Sequence, residues 1–390
     1  MSIFAYKFVI LSSYIMSSLY IHIPFCKTRC IYCGFYSTTS DSLQNDYVTA
    51  LIREMDLRHD YLPSMHINTV YLGGGTPSQL SAENLRRLFS YIYKVYDVSD
   101  DAEVTMECNP DDITPAYAEL IGSLPVNRVS MGAQTFSDER LRFIRRRHNA
   151  AEVRTAVELL RSNGIKNISI DLMFGFPGET ADDWHSDINE ALKLDVEHIS
   201  AYSLMFEEGT PLYRMLEEGK VSEADEELSV RMYDDLITTL TENGYVHYEI
   251  SNFSRPGMHS RHNSAYWEDI PYIGLGAAAH SYNRKTRQWN VSDIRKYISS
   301  INTGTIPFES EDIDLFTAYN DAITTMLRMS SGIDLSRFRE RFGTELHDYL
   351  LRNAKNSISA GHLVNDNGHL HLTRSGIFIS NDVMSDLIYV

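Results

Sequence analysis

The chain has 390 residues, room for two or three ordinary domains or for one large α/β barrel with an appendage. Its hydrophobic fraction of 43% and charged fraction of 23% are those of an ordinary soluble globular protein. With 35 basic against 53 acidic residues the net charge is −18, which argues against a nucleic-acid partner held through its phosphates, and the 4 cysteines are too sparse for a disulfide scaffold.

The chain opens on MSIFAYKFVILSSYIMSSLYI, apolar enough to resemble a signal peptide. Lys7 is its single positive charge, and the apolar stretch runs directly into YIHIPFC, which reads as a first core strand. Residues 1–18 are therefore expected to be an N-terminal extension of a cytoplasmic protein, with Met16 as an alternative start. No run reaches the roughly 18 apolar residues needed to span a bilayer, so no stable membrane insertion is expected.

From 19 to 206, short β-branched runs alternate with helix-like stretches. LYIHI, NTVYLGG, AEVTMEC, NRVSMGA, KNISIDLMFG and EHISAYS read as strands. Apolar residues at helical spacing mark 46–59, 82–95, 115–121, 138–144 with 151–162, and 181–192. That alternation predicts βαβ units and a parallel sheet. Six strands suit an incomplete (β/α)6 barrel of TIM type, whose chemistry sits at the C-terminal strand ends. From 207 to 307 the pattern changes to a helix at 223–242, then HYEISNFS and the Gly/Ala-rich PYIGLGAAAHSYN, read as completing the barrel. From 308 to 390, helices at 316–329, 335–342 and 345–357 precede short strands, a small winged-helix-like α+β module.

Three of the four cysteines stand in CKTRCIYCGF, after the first strand. Thiolates are soft ligands that suit zinc or an iron–sulfur cluster. Structural zinc wants four ligands, usually from paired C-x-x-C motifs, and this loop offers three. A 4Fe–4S cube held by three thiolates keeps one iron open to a small molecule; free buried cysteines are the remaining alternative. The run Gly73, Gly74, Gly75, Thr76, Pro77 after the second strand lets backbone approach a ligand, or forms a turn. Arg128, Ser130 and Gln134 fall at even spacings and so on one strand face.

C-x3-C-x2-C after a first strand resembles the signature of the radical S-adenosylmethionine (SAM) superfamily. Together with YIHIPFC, GGGTP, E-x-N-P, S-x-G-x-Q and DLMFGFPGET, it makes nearly the whole chain similar to the oxygen-independent coproporphyrinogen III oxidase branch. Within that branch the chain resembles the HemW-type heme chaperones more than the oxidases. The oxidases carry a further cysteine two residues after the third, where Phe35 stands here, and a longer segment before the cluster.

The resemblance implies that Cys26, Cys30 and Cys33 hold a 4Fe–4S cluster whose open iron SAM chelates. It implies SAM contacts at Tyr20 and Tyr32 beside the cysteine loop and at Gly74, Gly75 and Thr76. It further implies them at Glu107, Gln134, Arg146 and Asp171, the last on the ribose. Cys108 is expected to be a small core residue. HNSAYW resembles the HNxxYW motif of the chaperone subgroup, so His262 is expected to ligate heme iron and Tyr266 and Trp267 to pack on the porphyrin. His280 and His22 are further candidates. The implied function is delivery of heme to an acceptor hemoprotein, membrane-bound respiratory ones included. The rival is oxidative decarboxylation of coproporphyrinogen III through a SAM-derived radical.

Overall fold

The computed structural model describes residues 16–390, so the N-terminal extension lies, up to residue 15, outside the described residues. The six expected strands form as β1 (Ser17–Ile23), β2 (His66–Gly74), β3 (Asp97–Cys108), β4 (Arg128–Gln134), β5 (Asn167–Phe174) and β6 (His198–Ser203), hydrogen-bonded in that order and parallel throughout. Between them run α1 (Gln44–Leu57), α2 (Ala82–Val95), α3 (Pro115–Gly122), α4 (Asp138–Phe143), α5 (Ala150–Ser162) and α6 (Ala181–Lys193).

After α1, which follows Leu43 without a side-chain cap, these helices begin where the sequence provides one. Ser81 accepts from the Asn84 amide, and Thr114 precedes a proline at the first helical turn. Asn149 with Glu152, and Thr180 with Asp183, form reciprocal capping boxes. The strands are buried on both faces, which is why they read as continuous apolar runs.

After β6 come α7 (Pro211–Glu217) and α8 (Glu226–Glu242). The hairpin β7 (Val246–Glu249) and β8 (Asn252–Ser254) then adds antiparallel beyond β6. The short helix α9 (Arg261–Trp267) carries HNSAYW and leads to β9 (Tyr272–Leu275), which pairs parallel with β1. β10 (His280–Tyr282) and β11 (Thr286–Asn290) continue antiparallel, followed by α10 (Ile294–Asn302) and β12 (Phe308–Asp312). β12 pairs with β11, so this segment extends the large sheet. Among the described residues, twelve strands thus form one sheet with β7 and β12 at its two ends, and it does not close.

The C-terminal module consists of α11 (Leu315–Met326), β13 (Ile333–Asp334), α12 (Leu335–Ser359), β14 (Leu363–Asp366), β15 (His369–Leu372), α13 (Arg374–Phe378) and α14 (Ser380–Leu387). The two helices expected at 335–342 and 345–357 are one element broken at Gly343, whose φ of 80° and ψ of 172° are not helical. The module has its own core, with Tyr319, Phe338, Leu350 and Leu387 in it. Arg328 fastens it to the sheet through Glu249, at 2.7 Å.

One buried carboxylate ties the two ends of the described chain's barrel segment together. Glu54 on α1 is fully buried. It accepts from the Gly276 amide at 2.8 Å, Asn290 Nδ2 at 2.7 Å, Tyr297 Oη at 2.5 Å and Arg58 at 3.4 Å. Arg58 also donates to the Gly274 carbonyl, Ser281 and Gln288. Removing one partner of a buried pair leaves the other charge uncompensated. Glu54→Ala is therefore expected to lower unfolding free energy by about 3–5 kcal/mol, measured by urea denaturation; a loss below about 1 kcal/mol would contradict the assigned role.

Candidate functional site

Parallel strands end on a common rim, and alternate residues share a face. The strand register aligns Glu107, Ser130, Ser169 and His198 in one row, and Gly132, Asp171 and Ser200 in the next. Both rows line a cavity of about 470 Å³. The loop after β1 brings Cys26, Cys30, Tyr32 and Cys33 to the same cavity, and Gly74, Gly75 and Thr76 enter it from the end of β2. Gln134 and Arg146 complete this set.

The cysteine loop is held by backbone hydrogen bonds. The Cys26 amide donates to Thr38, the Thr76 amide to Phe25 and the Leu212 amide to Ile31. Thr76 Oγ1 lies 3.4 Å from Cys26 Sγ, and Arg146 Nη1 lies 3.7 Å from Cys30 Sγ. Arg146 Nε is buried with no partner among the described residues. Cys108 is buried and points its thiol at the Met106 carbonyl. Among the described residues, no three His, Cys, Asp or Glu side chains converge as a single-ion site. The three thiols that open into this cavity are soft donors of the kind that hold an iron–sulfur cluster.

The glycines have local reasons to be glycine. A Cβ on Gly74, whose φ is 104°, would stand 2.4 Å from the His22 ring, and one on Gly75 would stand 2.7 Å from the Ile23 carbonyl. The Gly74 amide donates to Glu107 Oε2 at 3.1 Å, and Tyr71 Oη donates to Glu107 Oε1 at 2.7 Å. Burial raises the Glu107 carboxyl to about 7 despite both donors. Burial likewise raises Asp171 to about 6, against the opposing pull of Ser200, Arg128 and Arg146. Gln134 holds a φ of 67°, in the left-handed region, beside a register shift in β4. Such a conformation in a non-glycine residue marks a position fixed by its surroundings.

The remaining expected residues lie elsewhere. Tyr20, Tyr266 and Trp267 line a second cavity of about 670 Å³, together with His22, Tyr36, Tyr272, His280 and Tyr282. Gly34 and Phe35 line both cavities, so residues following Cys33 form a shared partition. His262, the expected iron ligand, lies in the protein interior beside this cavity. His262 is 1% exposed, with Nδ1 2.7 Å from Thr69 Oγ1 and Nε2 2.9 Å from Tyr266 Oη. Its ring stacks on Tyr71 at 4.9 Å, and burial pushes its pKa down to about 3. Both nitrogens are committed, and the histidine serves as a joint between α9 and β2. His22 is committed in the same way, to Tyr20 Oη and the Tyr36 carbonyl, each at 3.0 Å.

Tyr71, Met173, His198, Ser200 and Tyr202 also line a cavity edge or bond its carboxylates, and the sequence reading passed over them. Their signal was present: Ser169, Asp171 and Met173, like His198, Ser200 and Tyr202, alternate on one strand face.

Comparison with known proteins places this geometry. The model of the Radical SAM superfamily matches residues 20–191, and that of the HemN C-terminal domain matches 314–379. The heme chaperone HemW of Bacillus subtilis is 36% identical over 372 residues, covering 94% of this chain and 98% of its own. HemW of Lactococcus lactis is 32% identical over 95% of this chain and 97% of its own. Among solved structures, the coproporphyrinogen III oxidase HemN of Escherichia coli superposes with a TM-score of 0.82 over 95% of this chain and 90% of that one. Its identity of 20% carries the fold alone.

Glu107 and Asp171 hold protons more tightly folded than unfolded, so the folded state binds more protons as pH climbs from about 4 to about 7. Their contribution is intact below the unfolded carboxyl range and is lost as pH rises through the folded values. In protein stripped of metal and SAM, urea-unfolding stability should therefore fall across that window. Glu107→Gln should flatten the fall by on the order of 2–3 kcal/mol. An unchanged slope in that variant would contradict the buried, proton-holding state of Glu107.

Proposed function

The chain belongs to the HemW family of the radical SAM superfamily, and from that membership we propose that it binds heme and hands it to an acceptor hemoprotein, with a 4Fe–4S cluster and SAM held beside the heme. The observation that carries the reading is the aromatic cavity next to the cysteine loop. It has room for a porphyrin and six or more rings to pack on its faces.

Cys26, Cys30 and Cys33 would hold the cluster, which supplies an open iron for the amine and carboxylate of SAM. The Arg146 guanidinium and the Thr76 hydroxyl, both aimed at cysteine sulfurs, suit anionic thiolates. Glu107 is a buried carboxyl without a cationic partner among the described residues and Asp171 lines the same cavity, and SAM brings an ammonium and a sulfonium. Gly74, Gly75, Thr76 and Gln134 would present polar backbone and amide groups to it, and Tyr32 a ring. Tyr20 falls on the side of the aromatic cavity and would meet the heme.

Delivery is favoured over coproporphyrinogen oxidation by Phe35. It is 69% exposed at the partition between the cavities, where the resembling oxidases have a cysteine. No helix among the described residues is long and apolar enough to cross a membrane.

Anaerobic reconstitution followed by two assays tests the proposal. The protein should bind hemin with one-to-one stoichiometry and leave coproporphyrinogen III unconsumed; many turnovers to protoporphyrinogen IX would sink the reading. Cys26→Ala, Cys30→Ala and Cys33→Ala should each lose the iron–sulfur absorbance, which Cys108→Ala should keep. Asp171→Ala should retain the cluster and bind SAM more weakly by roughly 1.5–3 kcal/mol.

A further inference from the structure

Three histidines stand near the aromatic cavity, and their ring nitrogens differ in one decisive respect. Those of His262 and His22 are all hydrogen-bonded within the protein. His280 opens β10 on the cavity wall; it is exposed, and its ring nitrogens have no hydrogen-bond partner among the described residues. Its ring is steadied by stacking on Trp289, with centroids 6.1 Å apart.

We propose that His280 is the residue that ligates heme iron in this cavity, and that His262 is a positioning residue which holds Tyr266 and α9 against the sheet. The proposal rests on the heme-binding reading above and names the iron ligand within it. Imidazole coordinates iron through an unprotonated nitrogen lone pair. His280 offers one without breaking an existing bond, and partial desolvation together with the nearby Arg287 charge lowers its pKa. Ligation by His262 would require breaking its bond to Thr69 or Tyr266 and bringing iron to a side chain that is 1% exposed.

The cavity wall supports the same placement. Tyr36, Tyr272 and Tyr282 line it together with His280. Trp267 also lines it, and its Nε1 is buried with no acceptor among the described residues. An indole N–H in that condition suits a ligand bearing an acceptor such as a propionate. The wall that carries His280 is set by the Glu54–Arg58 pair, because Arg58 bonds the Gly274 carbonyl and Ser281 on either side of it. Residue 280 is therefore presented from a fixed strand and not from a loose loop.

The test uses the full chain reconstituted with cluster and SAM and titrated with hemin, read by the Soret band and by heme affinity. Thermal melting and iron content are followed for every variant. His280→Ala should lower hemin affinity at least tenfold and shift the Soret band, and added imidazole should restore the band. His262→Gln, which retains hydrogen-bonding capacity toward Thr69 and Tyr266, should keep the wild-type band. An unchanged band and affinity in His280→Ala overturns the assignment, whatever His262→Gln does. Loss of the band in a folded His262→Gln protein with His280 intact also overturns it, while heme binding itself stands. Failure of the wild-type chain to bind hemin is a different result: it removes the heme reading and the ligand with it.

Discussion

The Glu54–Arg58 pair is the constraint on which the two-cavity arrangement depends. It sits on α1, directly after the cysteine loop, yet its partners are Gly274, Gly276, Ser281, Gln288, Asn290 and Tyr297, more than 200 residues away in sequence. A charge pair this deep is stable when its hydrogen-bonding capacity is met, and here nearly every polar group around it is backbone or a rigid side chain. By seating β9 and β10 against β1 and α1, it brings a late segment of the chain beside the early one. The aromatic cavity is the space between them. Tyr47 reinforces the same joint, accepting from the Ala277 amide and donating to the His22 carbonyl.

Within that frame the two cavities differ in chemistry because different strand rows face them. Toward the ends of β3 to β6 the inward residues are carboxyl, hydroxyl, imidazole and amide. Toward β1, β9 and β10 they are rings. Glu107, Tyr71, His262 and Tyr266 form a continuous chain of hydrogen bonds and stacked rings from one set to the other. This chain runs through the HNSAYW motif, whose histidine is hydrogen-bonded on both sides. Trp267 extends the same contact to the C-terminal module, lying under the Arg328 guanidinium at 4.9 Å.

How much of this the sequence disclosed depends on how local the cause was. Six strands and most helices were legible because apolar alternation and caps are properties of neighbouring residues. The cysteine loop and the glycine run were legible because metal ligation and close backbone approach need particular residue types at short spacing. The state of His262 was not, since Thr69, which holds its Nδ1, is 193 residues distant. Nothing in the motif itself says whether its imidazole is free. Glu54 was equally silent: in sequence it is one acidic residue on an amphipathic helix, ordinarily a solvated one. β12 was silent because a charged strand with no buried residue carries no periodic signal.

That same β12 strand has a consequence for how copies of the protein meet. It is an end strand whose five residues, FESED, are all exposed, and an end strand presents backbone groups that a second sheet could pair with. Antiparallel addition of another copy's β12, centred on Ser310, would set Glu309 against the other copy's Glu311 at cross-strand distance, where like charges repel. Trp289 and Arg287 hold those two carboxylates in place, so they stay with the strand instead of swinging clear. An open twelve-stranded sheet would otherwise be a template for indefinite growth; here it carries its own terminator, written as two glutamates along one edge.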